Sequence, residues 1–333
     1  MKWSRELRST GRGLRTALRA ASAIISPPAA HGAVPRGIAV SGAGELIAIP
    51  DFGANPGGLA MLAYRPSGLA AGAPLVVLLH GCGQDAAAFA AEGGWMALAD
   101  RLGLALVLPT QSADNNRQGC FNWFRPDQVT RGRGEARSIR AMVAEAVRRF
   151  ASDQRAVYIV GLSAGGAMAV AMLAAYPEVF AAGASIAGLP VGAAGGAATA
   201  LVRMAQAGPE GRSPEDWADQ ARRAAPADYA GPWPRLSIWH GGMDTVVDPA
   251  NARLLAGQWC ALHGLADAPS ATIEHGLVRQ EVWGATREPL VELWTLPTMA
   301  HGYPVATAGI TASAALPVGI SATDEIARFW RLT

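Results

Sequence analysis

The chain has 333 residues, half of them hydrophobic and 16% charged, which supplies apolar material for a full core and excludes disorder over most of its length. The formal net charge of +2 is uneven: residues 1–36 carry Lys2, Arg5, Arg8, Arg12, Arg15, Arg19 and Arg36 against Glu6, so the remainder is net acidic. An acidic body without a basic stripe interleaved with aromatics excludes nucleic acid as a partner, and no apolar run reaches the roughly 18–20 residues of a membrane span.

Residues 1–36 have the outline of a secretion signal, with a basic start, an apolar stretch at Ala20–Ile25 and small residues at Ala29–Ala33. Arg15 and Arg19 lie too deep for one, and Pro27-Pro28 interrupt the apolar part, so the segment reads as a flexible basic leader. From residue 37 onward a single catalytic α/β domain is expected.

Residues 45–66 read as paired opening strands, clearest over Leu59–Tyr64. The unbroken apolar run from Pro74 to His80 is a strand covered on both faces. It leads into His80-Gly81-Cys82-Gly83-Gln84, and a helix is expected over Ala86–Leu102. A buried strand follows at Leu104–Pro109, then a polar loop containing Cys120-Phe121-Asn122-Trp123-Phe124. Gly134–Phe150 is amphipathic, with Ile139, Met142, Val143, Ala146, Val147 and Phe150 on one face.

Val157–Val160 is a short β-branched and aromatic run, the composition of a buried strand. Gly161-Leu162-Ser163-Ala164-Gly165 follows, then Met168, Ala169, Met172 and Leu173 at helical spacing up to Pro177. A strand, a G-x-S-x-G turn and a helix in that order expose a serine hydroxyl at a sharp bend. Ala181–Ala187 is the next strand; the Gly/Ala/Pro-rich stretch 188–234 reads as an insertion over the site with one helix, Pro214–Ala225. Leu236–His240 is a strand, Pro249–His263 a helix and 271–287 a hairpin-like excursion; Val291–Leu296 is the last strand and Thr323–Trp330 the last helix. Strands alternating with helices mean a doubly wound, mostly parallel sheet whose strand C-termini share one edge.

Three chemistry-bearing residues follow strands at that edge: Ser163, Asp244 and His301. A serine hydroxyl is a weak nucleophile at neutral pH and needs an imidazole base, which a carboxylate holds in the right tautomer. Their chain order, Ser–Asp–His, is that of the α/β-hydrolase fold. Among the other histidines, His31 is in the leader, His80 and His240 terminate strands, His263 sits near a helix end and His275 in the excursion. Asp248 precedes Pro249 and a helix, which suits a cap or turn residue better than a catalytic acid. Backbone N–H groups of Cys82 and Ala164 are candidate oxyanion donors, the first from the His-Gly-Cys-Gly turn and the second from the residue after the nucleophile.

The segments LLHGCGQDAAAFA, QGCFNWF, GLSAGG, WHGGMDTVV and MAHGYP together resemble the poly(3-hydroxybutyrate) depolymerase family of esterases, α/β-hydrolases related to feruloyl and acetylxylan esterases. The resemblance spans roughly residues 58–305 and implies Ser163 as nucleophile, Asp244 as acid, His301 as base and Cys82 and Ala164 as oxyanion donors. It also implies secretion and hydrolysis of short-chain hydroxyalkanoate polymers or carbohydrate-linked esters. The chain departs from the family in its poor signal and in having no Ser/Thr-rich linker or C-terminal substrate-binding domain, so a soluble or oligomeric ester is the expected substrate.

The same triad would serve a peptidase or a thioesterase, since the pocket selects the acyl bond. Neither a cofactor nor a metal is expected, there being no CxxC spacing. Gln84, Trp123, Trp239 and Tyr303 are candidate substrate contacts, with Phe121 and Phe124 nearby; core packing is the default for each aromatic. Cys82 and Cys120 both lie in loops at the catalytic edge, and a bridge between them would fasten the QGCFNWF loop over the pocket. Such a bond requires an oxidising compartment; a cytoplasmic protein would keep both thiols reduced. Cys260, within a helix, reads as a buried thiol.

Overall fold

A computed structural model describes residues 44–208, 211–306 and 314–333, so the basic leader lies outside the described residues. Ten strands form one sheet: β1 (Glu45–Ala48), β2 (Ala60–Arg65), β3 (Leu75–Leu79), β4 (Ala105–Thr110), β5 (Val157–Leu162), β6 (Ala182–Ile186), β7 (Arg235–Gly241), β8 (Ala271–His275), β9 (Val278–Ala285) and β10 (Glu288–Leu296). Their spatial order is β1-β2-β4-β3-β5-β6-β7-β10-β9-β8. The six from β4 to β10 in that order are mutually parallel. Antiparallel strands close both margins.

The continuous apolar runs are explained by burial on two faces. Every residue of β3 and of β5 is buried. Alternation along β5 sends Val157 and Ile159 into one core layer and Tyr158 and Val160 into the other. Helix α4 (Gly134–Phe150) lays its predicted apolar face on the first layer. Helix α5 (Ala164–Ala175) is buried at all twelve positions, the environment that suits a helix apolar all round.

The expected helix over 86–102 is two: α1 (Ala86–Glu92) and α2 (Trp95–Leu102). Gly94, at φ +80°, breaks the run, a conformation glycine adopts freely. A short α3 (Pro126–Val129) precedes α4. The stretch 188–234 holds two helices, not one. Helix α6 (Ala197–Ala205) is short and buries only Ala200. Helix α7 (Pro214–Ala224) starts with a capping box between Ser213 and Asp216 and buries Trp217, Ala218 and Ala221. Gln258 in α8 (Ala250–Leu262) ties this stretch to the body, donating to the Trp217 and Val191 carbonyls and accepting from the Val191 N–H.

The excursion at 271–287 is no appendage: β8 and β9 extend the main sheet beyond β10. Helix α9 (Ala322–Trp330) buries Ile326, Phe329 and Trp330 in the second layer. A small parallel pair, β11 (Tyr303–Val305) and β12 (Ala315–Pro317), was not foreseen.

The topology positions the site. Strand β3 lies between β4 and β5, so the winding reverses at β3, the switch point where α/β sheets open a crevice at their C-terminal edge. Ser163 follows β5 and the His-Gly-Cys-Gly turn follows its neighbour β3. Asp244 follows β7 and His301 follows its neighbour β10, whose last residue Leu296 pairs with Gly241.

Candidate active site

Ser163 stands between β5 and α5 at φ 56° and ψ −117°, a strained conformation for a residue with a side chain. Two observations account for it. The Ser163 N–H donates to the Ile186 carbonyl at 2.8 Å, and the Ser163 carbonyl accepts from the Ala167 N–H at 2.9 Å, so strand and helix meet at this one residue. The flanking glycines permit the closeness: a β-carbon on Gly161 would lie 2.2 Å from the Gly165 carbonyl oxygen, and one on Gly165 would lie 2.1 Å from that of Leu79. The hydroxyl sits at the N-terminus of α5, whose first N–H groups have no intrahelical partner.

Asp244 and His301 are joined directly. His301 Nδ1 lies 2.7 Å from Asp244 Oδ2. The carboxylate can only accept, so Nδ1 is the donor in this hydrogen bond. Asp244 Oδ1 accepts from the N–H groups of Val246 and Val247 at 2.8 and 2.9 Å. His240 Nε2 approaches Asp244 Oδ2 at 3.2 Å and the Val247 carbonyl at 3.0 Å, which fixes its proton on Nε2 as well. Burial pushes the Asp244 pKa up, but hydrogen bonds from His240, His301 and the Val247 backbone outweigh it and hold the carboxyl well below its ordinary range. This second histidine went unassigned because only its position as a strand end was readable.

Asp248 is a turn residue, as its position before Pro249 suggested. Its Oδ1 accepts from the Ala250 N–H at 2.9 Å and its Oδ2 from the Ala207 N–H at 3.2 Å.

The turn after β3 is cross-braced. The Gly81 N–H donates to Gln84 Oε1 at 2.6 Å, the Gln84 N–H to the Gly81 carbonyl at 3.2 Å, and Gly83 takes φ +70°. Cys82 and Cys120 are joined by a disulfide, and Cys260 is a free, buried thiol. Among the described residues no group of three or more His, Cys, Asp and Glu side chains is placed to hold a metal ion.

A family model described as "Esterase PHB depolymerase" matches residues 59–284. The chain belongs to that family. Poly(3-hydroxyalkanoate) depolymerase C of Paucimonas lemoignei is 42% identical over 261 residues, 78% of this chain and 62% of that protein. Feruloyl esterase B of Talaromyces stipitatus is 32% identical over 69% of this chain and 64% of its own length. This chain thus spans less than two thirds of those two relatives. Acetylxylan esterase of Coprinopsis cinerea is 33% identical over 79% of this chain and 70% of its own. Among solved structures, the acetyl xylan esterase from Aspergillus awamori superposes with a TM-score of 0.74 at 24% identity, over 87% of this chain and all of its own, which shows the α/β-hydrolase fold.

The expected substrate contacts need correction. Trp239 is fully buried, stacked on Trp294 with ring centroids 4.5 Å apart, and donates through Nε1 to Ser237 Oγ at 2.8 Å. Tyr303 is equally sealed: its hydroxyl accepts from Trp95 Nε1 and is shared with Thr323 Oγ1, each at 2.8 Å, and burial pushes its pKa far up. Both rings are buried in the core in this structure. The partners of Tyr303 stand 208 and 20 residues away in the chain, and the ring stacked on Trp239 lies on the neighbouring strand β10. Gln84 spends its Oε1 on bracing the turn. Trp123 is 9% exposed, set edge-on to Phe124 at 5.7 Å, and contributes to the core layer beneath the loop.

Proposed function

We propose that this chain is a serine carboxylesterase acting on short-chain or oligomeric esters through an acyl-enzyme on Ser163. The single observation that supports this best is the 2.7 Å Asp244–His301 hydrogen bond at Nδ1, which makes Nε2 the basic nitrogen of the neutral imidazole on the strand edge that carries the strained Ser163. In this reading His301 Nε2 takes the hydroxyl proton as Ser163 Oγ attacks the ester carbonyl. Negative charge on the tetrahedral intermediate is met by the N–H groups of Cys82 and Ala164. Collapse expels the alcohol with the proton held by His301, and water then repeats the sequence to release the acid. Asp244 stays ionised throughout, orienting the imidazole and stabilising its cation.

The names of the relatives carry the substrate class to hydroxyalkanoate oligomers, with feruloyl and acetylxylan esters as the alternative. Among the described residues no helix is long and apolar enough to cross a membrane. The disulfide supports an oxidising compartment, and export is part of this proposal. The single catalytic domain from residue 37 remains part of it too.

One assay tests the reading. Purified protein is given p-nitrophenyl butyrate, a hydroxybutyrate oligomer, an acetylated xylo-oligosaccharide, a feruloyl ester, a peptide amide and an acyl-CoA. Turnover of esters with fluorophosphonate labelling at Ser163 is expected. Preferential amide or thioester cleavage would move the chain to the peptidase or thioesterase class; no labelling at Ser163 would reject the mechanism.

A further inference from the structure

We propose that Glu135 is the positioning residue of the oxyanion turn. This rests on the reading that the Cys82 N–H is an oxyanion donor. Glu135 opens helix α4 and is fully buried. It accepts four hydrogen bonds, all from neutral amides: at Oε1 from Gln111 Nε2 (2.7 Å), Asn115 Nδ2 (2.9 Å) and Asn122 Nδ2 (2.6 Å), and at Oε2 from the Asn122 N–H (2.8 Å). The four donors come from both ends of the loop that leaves β4.

That loop is what holds the turn after β3. Gln111 N–H donates to His80 Nε2 at 3.2 Å, and Gln111 Nε2 also donates to the Cys120 carbonyl at 2.9 Å. Cys120 is bonded to Cys82. The Gly119 carbonyl accepts from the Gly83 N–H at 3.4 Å, and the Phe121 ring packs on His80 at 5.0 Å. His80, two residues before Cys82, and Gly83, directly after it, are therefore both tied to a segment whose own anchor is Glu135. Moving that anchor moves the peptide that presents the Cys82 N–H.

The chemistry requires a carboxylate there. Both oxygens face N–H donors, and the Asn122 N–H is a backbone group that cannot turn away. A glutamine places its NH2 either against that N–H or against three side-chain NH2 groups, and both orientations oppose donor to donor. Burial pushes the Glu135 pKa up, and the hydrogen bonds it accepts from Asn122, Gln111 and Asn115 oppose that rise.

The test compares wild type with Glu135→Gln on a soluble ester, measuring kcat, KM and the inhibition constant of an alkylboronic acid, which forms a tetrahedral adduct on the serine. Removing one oxyanion donor lowers kcat by about 10²–10³ in comparable enzymes. A displaced donor is expected to lower kcat by about 10- to 100-fold, with KM within about threefold and the boronate constant raised in step with the loss in kcat/KM. Fluorophosphonate still labels Ser163, since the elbow is untouched. A purely structural role would lower the melting temperature and leave kcat and the boronate constant at wild-type values in the folded enzyme. That result overturns the proposal, as does a loss confined to KM. If Glu135→Gln does not fold, Asn122→Ala removes one side-chain donor and is expected to show the same pattern at about 3- to 10-fold; wild-type kcat in that folded variant overturns the proposal equally. Wild-type protein that neither cleaves esters nor labels would overturn the functional reading and this inference together, whereas an active wild type with an unaffected variant rejects this inference alone.

Discussion

Asp244 and Glu135 are buried carboxylates at the same sheet edge, on opposite sides of β5, and their surroundings treat charge in opposite ways. Asp244 is held by two imidazoles and two backbone N–H groups, and its pKa falls. Glu135 is held by four amides without an imidazole or guanidinium among them, and its pKa rises. The difference follows from the work proposed for each. In the proposed mechanism Asp244 faces a histidine that becomes a cation in each cycle, so a stable negative charge lowers the barrier. Glu135 faces fixed dipoles and orders a loop, for which four accepting lone pairs matter more than charge. The acid–base wing is thus stabilised by charge complementarity and the oxyanion wing by hydrogen-bond count and a covalent link.

In the proposed mechanism both wings act on Ser163, so Ser163→Ala is the largest break. It is expected to lower ester turnover about a million-fold without changing the fold. Stopped assays beside circular dichroism check it; wild-type turnover in the alanine variant would remove Ser163 from the mechanism.

The acid–base wing comes next. Asp244→Asn is expected to reduce turnover by about 10⁴, because the amide can donate to His301 Nδ1 and stabilise the wrong tautomer. Asp248→Asn is expected to change turnover little, since an asparagine oxygen still accepts from the Ala250 N–H. Measuring kcat/KM for both variants ranks the two aspartates, and the reverse order would transfer the role of acid to Asp248.

On the oxyanion wing, removing the covalent link through Cys82→Ala with Cys120→Ala is expected to lower stability. The bridged residues are 38 apart in sequence, and closing a loop of that size contributes up to about 4 kcal/mol by restricting the unfolded chain. Urea unfolding of the double variant against wild type measures it. Thiol counting gives a companion result: burial pushes the Cys260 thiol up to about 12, so the native protein should react slowly and the unfolded protein should show one thiol. Three thiols in unfolded protein from its native compartment would mean that the bridge does not form there.

What could be read from the sequence follows from how local each feature is. The Ser163 elbow is contiguous, with strand, turn, glycines and helix inside one stretch, so its geometry was legible. Asp244 and His301 were legible at one remove, because right-handed winding sends every strand end to one edge. Trp239 and His240 show where that logic stops. They are adjacent, yet strand alternation turns one into the core layer against Trp294 and the other toward Asp244. Glu135 was silent for a stronger reason. Its four hydrogen bonds come from residues 111, 115 and 122, in a loop without periodicity, and no spacing rule links them to a helix start.

Glu292 provides a third carboxylate that sharpens the comparison, since it lies in the sheet with no proposed chemistry. It is 2% exposed on β10, accepts from Ser237 Oγ at 2.6 Å and from Gln280 Nε2 at 2.8 Å, and burial raises its pKa to about 7. Hydrogen bonding does not offset desolvation at Glu292, where the contacts at Asp244 do. The sign of the pH effect follows. Below the ordinary carboxyl value of 4.5 both folded and unfolded chains hold the proton, and the contribution to stability is fully present. Between 4.5 and about 7 the unfolded chain releases the proton while the fold retains it, so stability falls as pH rises. Above about 7 the fold carries a buried anion and the loss is complete, on the order of 3 kcal/mol for a shift of this size. Glu292→Gln has no proton to release; its carbonyl can accept from Ser237 while the Gln280 amide turns to accept from the new NH2. Urea unfolding at pH 5 and pH 8 is expected to show wild type losing stability relative to the glutamine variant across that interval. Parallel pH dependence of the two proteins would mean that Glu292 titrates in the fold as it does in the unfolded chain, and that its two partners, like those of Asp244, suffice to keep it charged.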